Sequence, residues 1–436
     1  DMILSLLGIN AAYPLLIFLG DRFASALLPG LNSGLTVNSL ILTAVSPYMA
    51  AFMPYIMNGS QPGNGVWAVD TGFYIWWIVF TLVLLAGTVL LYKKRRSECA
   101  ESSFAFSLPK NVIRFMITAV TGLGLGLLLQ TGTESAGNFF IGLIAGSLAA
   151  HIVTETIYSR GFKQLKKSFV GYGFFIAVFV VAYAFLATGA LGYDTRVPLA
   201  EDVASVTIED PYTNNGGQIL DANHRVLTSV MPTLTEKANI EKVTKFHKKI
   251  TQDKRDHSYP YCLTGRNGTA FTFTYHLKNG GIVNRTYYLQ YKEDGQGNTI
   301  SPLGEIADTR EYKETQDLLF YVEPEYIKSV DLDRRNGEDN TTFAPDLNTK
   351  KELLDAMRQD YLDGNLGNGK LNNGKFVDDS SYLVIEYKSP LQIKDGKLKT
   401  LLNGYEGSIY LYSNSYNFLI NSGETGKLVE KLGWNQ

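Results

Sequence analysis

Charge is scarce over the first 193 residues of this chain, and cysteine is scarce over all 436. Two cysteines, Cys99 and Cys262, are too few for a disulfide framework or a four-thiolate zinc site. The histidines outside the apolar half (His224, His247, His257, His276) show no paired spacing with acids or cysteines of the kind a metal requires. His247, on a Lys-rich helix, reads as a surface or half-buried residue. There is no Gly-x-Ser-x-Gly elbow, no phosphate-cradling Gly-rich Lys loop and no His-Glu-x-x-His. Asp331-Leu-Asp333-Arg-Arg-Asn336-Gly337 has the wrong spacing for a calcium loop, with Arg335 at a ligand position and the glycine one residue late, and reads as a solvated turn. With 40 basic against 42 acidic residues, net −2, no basic stripe is available to a nucleic acid. After Asp1-Met2 there is no basic segment and no small-residue cleavage site, so no signal peptide is read. The chain reads as one entered in the middle, with further membrane segments expected ahead of it.

What is present is a set of uncharged apolar runs. The one that organises the rest spans Ser168 to Leu191, preceded by Arg160, Lys163, Lys166 and Lys167. At about 1.5 Å per residue it is long enough to cross a hydrocarbon core of about 30 Å. Basic residues stay on the cytoplasmic side of short loops, so this segment is predicted to emerge outside near Tyr193. Everything after it would then be extracytoplasmic.

Earlier runs supply further spans near 2–20, 40–57, 72–92, 112–130 and 139–153. The second carries Pro47 and Pro54 and either crosses or re-enters. The third stops at Lys93-Lys94-Arg95-Arg96, which assigns its end to the cytoplasm. The fifth contains Gly142-Leu-Ile-Ala-Gly146, a spacing that lets helices approach closely. His151, at the end of that run, is read as interfacial rather than as a proton relay, and no carboxylate is expected inside the spans.

From Asp194 onward the pattern changes to alternation and turns. Phe271, Phe273, Tyr275 and Leu277 alternate on one face, Asn279-Gly280-Gly281 supplies a turn, and 282–291 returns, which predicts a β-hairpin. Further strands are expected at 329–332, 382–387 and 408–412. Thr233 with Glu236, and Thr349 with Glu352, read as capping boxes opening two helices. A third helix is expected over 424–432. The fold class is therefore a membrane all-α helical bundle of about six transmembrane helices (1–193) followed by a soluble α+β domain (194–436).

Three stretches carry a family resemblance. Tyr92-Lys-Lys-Arg-Arg-Ser-Glu98 resembles the basic helix end found in permease subunits of ABC-2-type transporters of Gram-positive bacteria. Glu155-Thr-Ile-Tyr158-Ser-Arg160-Gly-Phe162 resembles a second recurring piece of those permeases. Phe246-His-Lys-Lys-Ile250 and Leu277-Lys-Asn-Gly-Gly-Ile-Val-Asn-Arg285-Thr-Tyr287 resemble the extracytoplasmic domain of one branch. The family's first membrane helices have no counterpart here, so the resemblance implies an N-terminally truncated fragment. It also implies no enzyme activity or cofactor in the chain itself. ATP would be bound and hydrolysed by a separate ATPase subunit on the cytoplasmic face. A second permease copy or paralogue and the lipid bilayer would be the other partners, with no nucleic acid. Arg95, Arg96, Glu98, Glu155, Tyr158 and Arg160 are the candidates for coupling to the ATPase, and Gly142 and Gly146 for helix packing.

A reading from another class is a membrane-anchored sensor whose outer domain binds a cell-envelope ligand or antibiotic. A membrane-bound hydrolase would need a buried Ser, His or acidic cluster in a cleft of 194–436. Topology can be checked with a membrane-impermeant thiol reagent on intact cells. Cysteines introduced at Asn214 and Asn340, together with an exposed Cys262, are expected to label at once, and Cys99 only after lysis. Protection of the former until lysis would invert the topology.

Overall fold

The computed structural model describes residues 12–28, 30–31, 44–47, 49–50, 71–94, 107–133, 136–159, 161–210, 217–224, 226–255, 269–289, 292–293, 299–333, 341–367, 381–393, 396–402, 405–418 and 423–434. The chain divides into two compact units between Asp194 and Thr195.

The first unit contains α1 (Tyr13–Leu27), α2 (Thr71–Lys94), α3 (Ser107–Thr133), α4 (Ala136–Ser159) and α5 (Leu165–Ala187). Three stretches within it are long and apolar enough to cross a membrane: Asn111–Gln130, Gly137–Ser159 and Leu165–Ala187. A shorter apolar helix spans Tyr74–Leu90. Six spans are thus not found among the described residues. Residues 2–11 of the first expected span lie outside the described residues; from Tyr13 onward α1 runs past the expected end through Asp21 and Arg22, drawn on by an apolar face of Leu16, Leu19, Phe23 and Leu27. Most of the span expected at 40–57 lies outside the described residues.

Two boundaries also move. α4 continues past residue 153 because no Gly or Pro interrupts it before Gly161. The hydroxyls of Thr154, Thr156 and Ser159 bond to carbonyls of the preceding turn, those of Ala150, Ile152 and Glu155. α5 ends at Ala187 rather than 191, where Thr188 caps it and the backbone turns left-handed.

α3 and α4 run antiparallel in a close pair. A Cβ on Gly142 would lie 2.6 Å from the Leu125 carbonyl oxygen, and one on Gly146 would lie 2.7 Å from that of Thr121. A Cβ on Gly126 would in turn meet the Phe139 carbonyl oxygen at 2.9 Å. Only hydrogen fits at these positions, so backbone packs on backbone. α1 closes one end of the pair through Phe23, stacked on Phe139 at 5.5 Å and tilted against Phe179 of α5 at 5.3 Å.

The second unit is built from antiparallel sheets. β1 (Val203–Glu209), β2 (Gln218–Asp221), β3 (Val226–Ser229) and β4 (Thr233–Leu234) precede α6 (Lys237–Arg255). β5 (Thr269–Leu277) and β6 (Ile282–Leu289) form the expected hairpin, in register from Thr269 opposite Leu289 to His276 opposite Ile282. Its turn uses Gly280 at φ +83° and an Asn279 side chain that accepts from the Gly281 amide at 2.9 Å. β7 (Lys292–Glu293) and β8 (Thr299–Ile300) make a small ribbon, and α7 (Arg310–Gln316) follows. Then come β9 (Ile327–Asp333), β10 (Thr341–Phe343), α8 (Leu347–Asp363), β11 (Leu366–Gly367) and β12 (Ser381–Tyr387). The last elements are α9 (Lys397–Leu401), β13 (Ile409–Leu411), β14 (Asn414–Phe418) and α10 (Gly423–Lys431). One sheet has the order β4-β1-β5-β6, a second β10-β9-β12-β14-β11, and a third β13-β2-β3. Val330, Leu332, Leu383 and Ile385 of the second sheet, with Leu353, Leu354 and Met357 of α8, form the largest core.

Neither capping box forms as expected. Thr233 lies in β4, and the start of α6 is instead capped by Glu311 of α7. That carboxylate accepts from the Thr235 hydroxyl at 2.7 Å, the Glu236 amide at 3.0 Å and the Asn239 side chain at 2.8 Å. Burial works against the charge of Glu311, but these hydrogen bonds outweigh it and hold the carboxyl below its ordinary range. α8 begins earlier than expected, on Asp346, which accepts from the Thr349 amide at 2.8 Å. α10 is capped from a distance by Asp360 of α8, which takes the Glu424 and Thr425 amides at 2.9 and 2.7 Å.

Two other local readings change. Asp331 and Asp333 lie in strand β9, and the rest of the stretch read as a turn, 334–337, lies outside the described residues. His247 is fully buried rather than half-exposed. Its Nδ1 lies 2.9 Å from the Tyr275 hydroxyl and its Nε2 2.7 Å from that of Tyr287, on the hairpin beneath α6.

Asp317 is fully buried in this unit. The Leu319 amide and the Tyr416 hydroxyl donate to its Oδ1 at 2.9 and 2.7 Å, yet burial pushes its carboxyl up to about 6. An unfolded Asp titrates near 3.9, so the native state prefers the proton. The stability this group contributes is complete below about pH 4 and is lost as pH rises through 6, by up to about 3 kcal/mol. Asp317→Asn is expected to abolish that loss. Thermal unfolding of wild type and variant from pH 4 to 7 should show midpoints that diverge as pH rises; parallel curves would contradict the assignment.

Candidate functional site

A line of polar side chains runs along one face of α4 and meets α3 and α5. Ser147, His151 and Glu155 recur every four residues, so they share a face. All three are buried. Glu155 Oε2 accepts from Arg114 Nη1 of α3 at 2.6 Å, with side-chain exposures of 4% and 17%. Arg114 Nη2 donates to Asn111 Oδ1 at 3.2 Å. His151 Nε2 lies 3.1 Å from Ser168 Oγ of α5. Ser147 Oγ lies 3.0 Å from the Tyr172 hydroxyl, one turn further along α5. The rings of His151 and Tyr172 are 5.2 Å apart. Ser147, His151 and Glu155 therefore each have a partner on a neighbouring helix.

This arrangement corrects the expectation that the spans hold no carboxylate. Glu155 lies inside a stretch able to cross a membrane, because α4 runs on to Ser159. Arg114 already supplies its positive charge, so the carboxylate acts as half of a helix–helix fastener. Partnering of this kind is what makes ionised groups tolerable at membrane depth. His151 is likewise 2% exposed, packed against α5.

A cavity of about 510 Å³ opens between α3 and α5 beside this line. Arg114, Thr118 and His151 supply its polar side, while Val112, Phe115 and Phe174 supply apolar walls. Ser168 and His151 stand at the distance of a nucleophile and base. Ser168 does not line the cavity, however, and its hydroxyl also lies 2.9 Å from the Leu165 carbonyl oxygen. It works as a strut. Among the described residues no cluster of three or more His, Cys, Asp or Glu could hold a metal ion.

Of the residues singled out in the sequence, Gly142, Gly146, Glu155 and Tyr158 all lie on α4. The two glycines make the backbone contact with α3. Glu155 faces Arg114 of α3. Tyr158 is half-buried in the last turn. Arg95, Arg96, Glu98 and Arg160 lie outside the described residues. Arg114, Ser147, Ser168 and Tyr172 were not singled out. The signal that could have found them is the four-residue recurrence of Ser147, His151 and Glu155 in an otherwise apolar helix.

No protein-family model, curated protein or solved structure matches this chain.

Removing one partner of a buried pair leaves an uncompensated charge, whereas replacing both with apolar groups is often neutral. Glu155→Leu is therefore expected to destabilise the first unit by about 3 kcal/mol, and Arg114→Leu/Glu155→Leu to regain most of that loss. Thermal unfolding in detergent reads both. A double variant as unstable as the sum of the singles would show that the two groups do not act as a pair.

Proposed function

We propose that this chain is the membrane-spanning subunit of an ATP-driven transporter of ABC-2 type, working with a separate ATPase subunit. The observation that carries the proposal is the buried Arg114–Glu155 pair, which ties α3 to α4 one turn from the basic turn leading into α5. A push delivered at that turn would reach both helices as one body. This reading makes Tyr158 and Arg160 the contact point with the ATPase, and gives Glu155 the job of transmitting motion. It places Arg95, Arg96 and Glu98 at a second contact, and the unit from Thr195 onward outside the cell. The paired state of Glu155 supports external energy over an ion gradient, since its counter-charge is internal.

The test is purification of the chain from its native membrane in mild detergent. The expected result is a co-purifying ATPase subunit with vanadate-sensitive hydrolysis, and a several-fold loss of that subunit on Arg160→Glu. A chain that purifies with no nucleotide-hydrolysing subunit would sink the proposal. A sensor is the second reading, favoured by a depression of about 750 Å³ on the second unit lined by Glu323, Tyr326, Lys351 and Gln392. A histidine kinase in place of the ATPase in that purification would support it.

A further inference from the structure

The cavity between α3 and α5 has a floor and a rim of different character. Its floor is closed by Phe175 and His151, both at most 5% exposed, while Val112, Val170 and Phe174 stand at its edge, the last two 80% and 67% exposed. Such a groove, open sideways from a helix able to cross a membrane, faces lipid. On α5, Lys167, Val170, Gly171 and Phe174 recur at helical spacing, so Lys167 stands on the groove's own face, one turn toward the basic end. Gly171 has no side chain, and Arg114 Nη2 fills that space, 3.0 Å from where a Cβ would be. The guanidinium therefore borders the groove while its other nitrogen holds Glu155.

Arg114 thus borders the apolar slot and Lys167 stands one turn beyond its lining on the same face of α5, with the Glu155 carboxylate offsetting one of the two charges. We propose that this groove binds one anionic phospholipid, its acyl chain along Val112, Phe115, Val170 and Phe174 and its headgroup phosphate between Lys167 and Arg114. A second copy of the chain would bring an apolar helix to the same place and leave the surplus positive charge without a partner. A single anionic headgroup answers both the shape and the charge. A basic side chain near a lipid headgroup contributes about 1 kcal/mol, or about fivefold in affinity.

The test is native mass spectrometry of the full chain in detergent with dioleoyl phosphatidylglycerol or dioleoyl phosphatidylcholine added. Retention of one phosphatidylglycerol is expected in preference to phosphatidylcholine. Lys167→Gln, at an exposed position that does not endanger folding, should lower that preference about fivefold. Met116→Trp, which fills the groove, should lower retention of both lipids. Equal retention of the two lipids by wild type, an unchanged preference in Lys167→Gln, or unchanged retention in Met116→Trp would each overturn the assignment. No ATPase enters this experiment, so its failure and the failure of the transporter proposal are distinguishable.

Discussion

A guanidinium and a carboxylate removed from water together govern the geometry of the helix bundle. Glycine lets α3 and α4 touch, because Gly126, Gly142 and Gly146 leave no side chains between the two backbones. Glycine alone does not select a rotation, since a smooth surface can turn or slide. The Arg114–Glu155 bond removes that freedom at the basic end, and the stacking of Phe23 on Phe139 limits it at the other. Once α4 is fixed, His151 and Ser147 follow at four-residue steps, and α5 must offer Ser168 and Tyr172 at matching heights. The cavity is what remains beyond that line of contacts.

Much of this was legible in sequence, and what was missed shares a cause. The β5–β6 hairpin could be read because alternation and an Asn-Gly-Gly turn are local signals. The apolar runs could be read because length and lack of charge are local too. The ends of helices could not. Thr233 and Thr349 both stood three residues before a glutamate, yet the acceptors used are Glu311 and Asp346. A carboxylate 75 residues away satisfies the same amides and leaves no mark beside them. The pairing of Arg114 with Glu155 spans 41 residues and was hidden in the same way. His247 was misjudged because its lysine neighbours suggested a wet surface. Its two tyrosine partners lie on strands that meet it only in the folded state.

The two units treat buried polarity by the same rule. In the first, Ser147, His151 and Glu155 on α4 each meet a polar group on a neighbouring helix. In the second, His247 sits between two tyrosine hydroxyls and Asp317 takes an amide and a phenol. Leaving such groups unmet costs more than a hydrogen bond contributes, so each one restricts how its neighbours can pack. Interiors built this way are specified by geometry as well as by volume. That is why helices rich in interchangeable Leu, Val and Phe still have one arrangement.

The caps on α6 and α10 have a consequence for how the second unit can be divided. α6 packs with β5 and β6 around His247, yet its first amides are held by Glu311, which belongs to α7 and comes after that sheet in the chain. α10 similarly begins on Asp360 of α8. Each helix is finished by a carboxylate from a different element, so the joints run across the order of the polypeptide. A fragment ending before Arg310 would keep every residue of the β4-β1-β5-β6 sheet and still lose the start of α6. A piece meant to isolate that sheet with α6 fully capped therefore has to extend through Glu311 of α7.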